Sequence, residues 1–127
     1  MRIIYADTDQ MGVVYYARYF EFFERGRTEL LRQLGSPYAQ MEKEGIALPV
    51  VEAHCKYKKG PRYDDVIVIK SMIKDLPRAT IRIDYELYDE TETTLLATGY
   101  TVHCFLNPAG HPTRAPKSFI ELIRRHL

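Results

Sequence analysis

The sequence has few of the features that assign a protein to a specialised class. It has no tryptophan and two cysteines, Cys55 and Cys104, which do not form a CxxC motif. Its 18 basic and 17 acidic residues nearly cancel, so we expect no nucleic-acid partner. No apolar run approaches the roughly 18 residues of a membrane span, and the N-terminus has no apolar stretch of signal-peptide length. These absences predict a cytoplasmic protein with reduced cysteines and no membrane span.

Motifs for metal binding and for thiol chemistry are also missing. The four histidines do not have HxxxH or HExxH spacing. His54–Cys55 and His103–Cys104 are adjacent residues in strand-like sequence, and adjacent strand residues point to opposite faces of a sheet. We therefore predict no metal site, no cofactor and no catalytic thiol.

The remaining pattern predicts one α+β domain over residues 1–127. A short strand is expected at 2–5. From residue 16 a long helix is predicted, which ends at Gly35 and has one apolar stripe, formed by Tyr16, Tyr19, Phe20, Phe23, Gly26, Leu30, Leu31 and Leu34. The segments after it are a short helix at 38–44, strands at 51–57, 66–74, 79–88 and 95–107, and a helix at 117–127. Consecutive strands with short connections favour an antiparallel sheet, which would cover the apolar stripe of the helix.

The segment DTDQMG at residues 7–12 has two interpretations. In one, its acidic and small residues form a turn and cap the following helix. In the other, Asp9 is a catalytic carboxylate beside the unpaired N–H groups of a helix start, which can polarise a carbonyl group. Gly12 would then let the substrate approach the backbone closely. A carboxylate beside a polarising amide is sufficient to hydrolyse an activated ester.

Two further patterns could serve phosphate chemistry. Phosphatases of the haloacid-dehalogenase class carry DxDx[TV] after an apolar strand, but here Met11 occupies the last position. That fold also alternates strands and helices, whereas the second half of this chain is a run of strands. The basic segment KYKKGPR at 56–62 is either a solvated strand edge or a site for the phosphates of a nucleotide-bearing substrate.

The pattern DTDxxGVVYxxxYxxxxERxRTE at residues 7–29 resembles the hot-dog-fold acyl-CoA thioesterases. The most similar branches are the 4-hydroxybenzoyl-CoA thioesterase type and the thioesterase associated with the Tol-Pal system. The resemblance extends over nearly the whole chain, through RYDDVIVI (62–69), NPAG (107–110) and RAPKSF (114–119). It implies an antiparallel sheet wrapped around one long helix, and hydrolysis of a small or medium acyl-CoA to a free acid and CoA.

The resemblance also implies roles for individual residues. Asp9 corresponds to the catalytic aspartate, which acts as a nucleophile or as a general base. The backbone amide of Tyr16 corresponds to the group that polarises the carbonyl, and Asp7 would brace the turn. Lys58 and Arg62 are candidates for binding the phosphates of CoA.

The resemblance implies a homodimer with active sites at its interface, paired into a homotetramer. Two alternatives remain open. A non-catalytic acyl-CoA-binding or partner-docking subunit would bind CoA esters without releasing thiol. A hydratase or dehydratase on the same fold usually needs a histidine paired with an acid, and no histidine lies near DTDQMG in the sequence.

Overall fold

The computed structural model describes residues 1–35 and 37–127. The helical elements are a 3₁₀ helix at Tyr5–Asp7 and the helices α1 (Arg18–Gln33), α2 (Pro37–Lys43) and α3 (Lys117–Arg124). The strands are β1 (Val50–Tyr57), β2 (Ile67–Met72), β3 (Thr80–Asp89), β4 (Leu95–Leu106) and β5 (Pro112–Thr113). No helix in these residues is long and apolar enough to cross a membrane.

The strands form one antiparallel sheet in the order β1–β4–β3–β2, with β5 paired to the end of β4. Helix α1 packs against this sheet, so the predicted α+β arrangement of a long helix covered by an antiparallel sheet is confirmed. An antiparallel sheet is incompatible with the alternating strands and helices of a haloacid-dehalogenase fold. The phosphatase alternative is therefore wrong.

The polar segment 89–94 connects β3 to β4 as a turn, as its composition predicts. The Asp89 carboxylate accepts the N–H groups of Thr94 at 3.0 Å and Thr93 at 2.8 Å. These hydrogen bonds, that of Thr94 above all, hold the pKa of Asp89 below its usual range. The turn aligns the two longest strands, which form the middle of the sheet.

The buried face of α1 differs in part from the predicted stripe. Tyr19, Phe23 and Leu31 are buried as expected, and Phe22 is buried as well. Phe23 stacks on Tyr85 of β3, with ring centroids 4.4 Å apart and planes 6° from parallel. The predicted stripe residues Tyr16 and Phe20 are instead 60% and 37% exposed. Tyr16 precedes the helix, which begins at Arg18, and Phe20 lies at the border of the buried face.

Two predicted strands also differ from the structure. At 2–5 there is only an isolated bridge between Arg2 and Val66, and the 3₁₀ helix follows at once. Strand β1 is exposed along nearly its whole length, although its alternating sequence predicts one buried face. It pairs only with β4, and its other edge has no neighbouring strand in the described residues.

Gly26 lies at a close contact between α1 and β2. A Cβ atom at this position would overlap the hydroxyl of Ser71 and lie 2.8 Å from Cγ2 of Ile69. The Ser71 hydroxyl is buried and has no hydrogen-bond partner in the described part of the chain. The glycine thus permits a close contact between α1 and β2, and a larger residue would push these two elements apart.

Gly26→Ala should lower the free energy of unfolding by about 1–3 kcal/mol, because the added methyl group overpacks this contact. The measurement is urea denaturation of the wild type, of both single variants and of Gly26→Ala/Ser71→Ala. The second substitution removes the overlapping hydroxyl, so the double variant should recover part of the loss. A stabilisation of about 1 kcal/mol by Gly26→Ala, as at an open helical position, would contradict the close contact.

Candidate active site

Asp9 lies at the tip of a small hairpin formed by residues 7–9 and 13–15. The N–H of Asp9 donates to the carbonyl of Val13 at 2.9 Å, and the N–H of Tyr15 donates to the carbonyl of Asp7 at 2.8 Å. The residues between these pairs form an isolated β-bridge. The hairpin therefore holds Asp9 close to the backbone that leads into α1.

The Asp9 carboxylate organises its own loop. Its Oδ1 accepts the N–H groups of Met11 at 2.8 Å and Val13 at 3.4 Å. Its Oδ2 accepts no hydrogen bond within residues 1–35 and 37–127. Helix α1 has Ala17 as its N-cap, with no side-chain hydrogen bond. The interpretation of DTD as a cap for this helix is therefore wrong. The Oδ2 atom of Asp9 is left without a hydrogen-bond donor in the described residues.

Asp7 and Thr8 brace the turn that precedes the hairpin. Oδ2 of Asp7 accepts the N–H of Ile4 at 3.2 Å, and the Thr8 hydroxyl donates to the carbonyl of Tyr5 at 2.7 Å. Both side chains thus form hydrogen bonds with the backbone at the 3₁₀ helix. Each aspartate thus binds backbone N–H groups through one oxygen, Asp7 at the 3₁₀ helix and Asp9 in the loop between the two arms of the hairpin.

Gly12 and Arg62 meet beside the Asp9 loop. Gly12 has φ +80°, and a Cβ there would lie 2.8 Å from a terminal nitrogen of Arg62. The same guanidinium donates to the carbonyl of Gly12 at 3.4 Å, across 50 residues of sequence. Lys58 lies just after β1, where its N–H donates to the carbonyl of Leu96 at 2.9 Å. The structure brings Arg62 to the loop, whereas the Lys58 side chain makes no hydrogen bond or ion pair with a described residue.

Tyr16 lies in the turn that enters α1. Its N–H has no acceptor among the described residues, and its carbonyl accepts the hydroxyl of Tyr57 at 3.1 Å. The Tyr57 ring also meets Tyr19 edge-on, with centroids 4.8 Å apart. Burial raises the pKa of Tyr57 to about 12, with a smaller contribution from Cys55, so the hydroxyl stays protonated as a donor.

Sequence reasoning missed Tyr57. Its position in the alternating pattern of β1 predicts an inward-facing ring. Nothing local predicts a hydrogen bond to a peptide 41 residues away. That contact depends on how α1 crosses the sheet.

The surface around Asp9 is open and rich in exposed apolar side chains. Met11 is 80% exposed, and Tyr5 and Tyr63 are exposed and meet edge-on, with centroids 6.0 Å apart. Metal-binding geometry is not found in residues 1–35 and 37–127, because no group of three His, Cys, Asp or Glu side chains converges there. The arrangement offers a carboxylate oxygen, an unpaired amide and a guanidinium next to apolar surface.

Comparison with known proteins places this chain in a family. Residues 5–123 match the family described as the thioesterase-like superfamily. The acyl-CoA thioesterase YbgC of Haemophilus influenzae is 32% identical over 127 residues, which cover 96% of this chain and 93% of that protein. The acyl-CoA thioester hydrolase YbgC of Escherichia coli O6:H1 is 33% identical over 121 residues, which cover 94% of this chain and 90% of that protein.

A solved structure shows the same fold. The crystal structure of DHNA-CoA thioesterase from Staphylococcus aureus is 31% identical and has a TM-score of 0.88, covering 99% of this chain and 85% of that chain. These matches confirm the expected hot-dog fold and the expected class of enzyme, a thioester hydrolase. The chain therefore belongs to the thioesterase-like superfamily.

Proposed function

We propose that this chain hydrolyses a small or medium acyl-CoA to a carboxylic acid and free CoA. The observation that carries the proposal is the open Oδ2 of Asp9, held by a hairpin that also positions the unpaired N–H of Tyr16. These are a carboxylate and an oxyanion donor, the two groups that thioester hydrolysis needs. The names of the relatives support the same activity.

In the proposed reaction, the thioester carbonyl accepts the N–H of Tyr16, which stabilises the negative charge that develops on its oxygen. Asp9 then follows one of two routes. As a nucleophile it attacks the carbonyl carbon and expels CoA as a thiolate, and water hydrolyses the resulting mixed anhydride. As a general base it takes a proton from the attacking water and passes it to the departing thiolate. Both routes break the carbon–sulfur bond and consume one water.

Substrate binding is proposed to use Gly12 and Arg62. Gly12 leaves the loop without a side chain that would block the carbonyl, and Arg62 presents a guanidinium that suits a phosphate of CoA. Lys58 is the second candidate for a phosphate of CoA, as a cation in the same basic segment as Arg62. No cofactor is needed for either chemical route.

Assembly is proposed to be a homodimer that pairs into a homotetramer, with each protomer one domain over 1–127. The unpaired edge of β1 exposes backbone donors and acceptors, which is a template for pairing with a second strand. Val50, Val51 and Tyr57 on this strand are each exposed by 45% or more. We also propose a cytoplasmic location, which suits the free thiols of Cys55 and Cys104.

Asp9→Asn should lower kcat by about 10²–10⁴-fold, because the amide can neither attack the carbonyl nor take a proton. The hairpin should persist, since the asparagine Oδ1 can still accept the N–H of Met11. The measurement is thiol release from aromatic, short and longer acyl-CoAs, with the melting temperature as a check on folding.

The matched control is Asp64→Asn, which changes an exposed acid that pairs with Arg2 and makes no hydrogen bond to the described residues 7–15. It should keep wild-type turnover. Full activity in Asp9→Asn would refute the mechanism. CoA-ester binding without thiol release by the wild type would favour the non-catalytic subunit.

Tyr57→Phe should lower kcat by roughly fivefold while KM changes less. The lost hydrogen bond to the Tyr16 carbonyl is worth about 1 kcal/mol, and it anchors the residue whose own N–H, in the preceding peptide unit, faces the substrate. Steady-state kinetics on one good acyl-CoA would measure both constants. Tyr63→Phe is the control, because the Tyr63 hydroxyl makes no hydrogen bond within the described residues. Equal kinetics of the two variants would rule out a positioning role for Tyr57.

Val51→Lys should shift the assembly toward monomer, because lysine on an exposed strand edge opposes pairing between edges. Sedimentation velocity would give the mass of the assembly. The control Leu127→Lys introduces the same charge at an equally exposed apolar residue outside the sheet. An unchanged assembly in Val51→Lys would show that β1 is not the pairing edge.

A further inference from the structure

A cavity of about 330 Å³ lies between the second half of α1 and the sheet. Its helical wall includes Arg27, nine residues after Arg18, which is about 14 Å along the helix axis from the start of α1. Asp9, Gly12 and Tyr16 do not line it. Its apolar walls are Leu31, Leu48, Ile81, Ile83 and Phe119. This volume and lining are typical of a small-molecule site.

A chain of hydrogen bonds through Thr101 and Tyr85 links two residues that line the cavity, His103 and Arg27. His103 Nδ1 lies 3.0 Å from the carbonyl oxygen of Leu48, which can only accept, so Nδ1 carries the hydrogen. Nε2 then accepts the hydroxyl of Thr101 at 2.9 Å, and Thr101 accepts the hydroxyl of Tyr85 at 2.7 Å. Tyr85 in turn accepts an N–H of Arg27 at 3.5 Å. Every donor of these buried side chains is used within the chain of bonds.

The histidine in this chain stays neutral. Burial, and then the nearby charge of Arg27, lower the pKa of His103, while the bond to Leu48 opposes the shift. Protonation of Nε2 would also break the bond from Thr101. The positive charge at the end of this chain of bonds therefore belongs to Arg27.

Arg27 lacks a compensating carboxylate. Its half-buried guanidinium carries five N–H donors, and within the described ranges it makes one hydrogen bond, to Tyr85, and no ion pair. Glu24 also lines the cavity but does not come within 4 Å of the guanidinium. Arg32 at the cavity wall is ion-paired with Glu29. A partly buried charge without a partner is costly, and an anion in the cavity would relieve that cost.

We propose that this cavity binds a monocarboxylic acid with an apolar tail, the carboxylate on Arg27 and the tail along Leu31, Ile83 and Phe119. A guanidinium recognises a planar carboxylate through two parallel hydrogen bonds. A neutral ligand would leave Arg27 unpaired, and a ligand with a second negative charge would meet Glu24 in the same cavity. The site stands independently of the proposed hydrolysis, although the acid that hydrolysis releases belongs to the same chemical class.

The test is calorimetric titration of the full chain with butanoate, hexanoate and octanoate. We expect one molecule bound per chain, with affinity rising about fourfold for each added methylene until the cavity is full. Octan-1-ol, which has the same tail without the charge, should bind at least tenfold more weakly than octanoate. Equal affinities for the alcohol and the acid would overturn the proposed role of Arg27.

Matched variants locate the binding site. Arg27→Gln keeps a side chain that can donate to Tyr85 but removes the charge, so octanoate should bind at least tenfold more weakly. Arg27→Lys should recover part of the affinity, and Arg32→Gln should stay within threefold of the wild type. Asp9→Asn should bind octanoate as the wild type does.

Two results would refute the cavity site. Octanoate binding that is lost in Asp9→Asn but kept in Arg27→Gln would place the acid at the Asp9 loop. No octanoate binding to folded wild type, together with a change of assembly mass in Arg27→Gln, would show that a second copy of the chain covers the cavity. Failure of the hydrolysis assay affects neither measurement, so the two proposals can fail separately.

Discussion

The close packing of α1 on the sheet is the constraint on which the rest of the structure depends. The Phe23 ring lies flat on Tyr85, and Gly26 lets the helix backbone reach the side chains of β2. These contacts fix the position of α1 on the sheet. The start of the helix then determines where the Tyr16 carbonyl meets Tyr57 of β1, and its second half forms one wall of the cavity.

Local patterns in the sequence predict which helices, strands and turns form. They predict less well what those elements lie against. The turn at 89–94 and the helix that ends before Gly35 depend on neighbouring residues, and the structure contains both. The exposure of β1 depends on what lies beside the strand, and alternation alone cannot reveal an unpaired edge. The Asp9 loop is an intermediate case, because its sequence predicts a turn but not that the carboxylate binds its own loop instead of capping α1.

Contacts between distant residues explain the remaining differences between sequence and structure. The sequence offers both Lys58 and Arg62 as phosphate ligands, as two cations of one basic segment. Only the fold shows that the segment around Arg62 pairs with the hairpin at Val13, which places the guanidinium beside Gly12. The resemblance to thioesterases could point to Asp9 and Tyr16 but not to the Tyr57 hydroxyl that donates to the Tyr16 carbonyl.

The polar groups that the fold leaves without partners are the most informative about function. Asp89 shows that this chain can satisfy a carboxylate completely, since backbone and hydroxyl donors of one turn surround it. Asp9 lies in a loop with similar donors, yet only one of its oxygens is bound. The buried chain from Leu48 to Tyr85 is likewise fully paired and ends at a guanidinium that has no carboxylate partner. A partly buried charge without a partner costs stability, so the guanidinium of Arg27 is the place where an anionic ligand would restore a missing interaction.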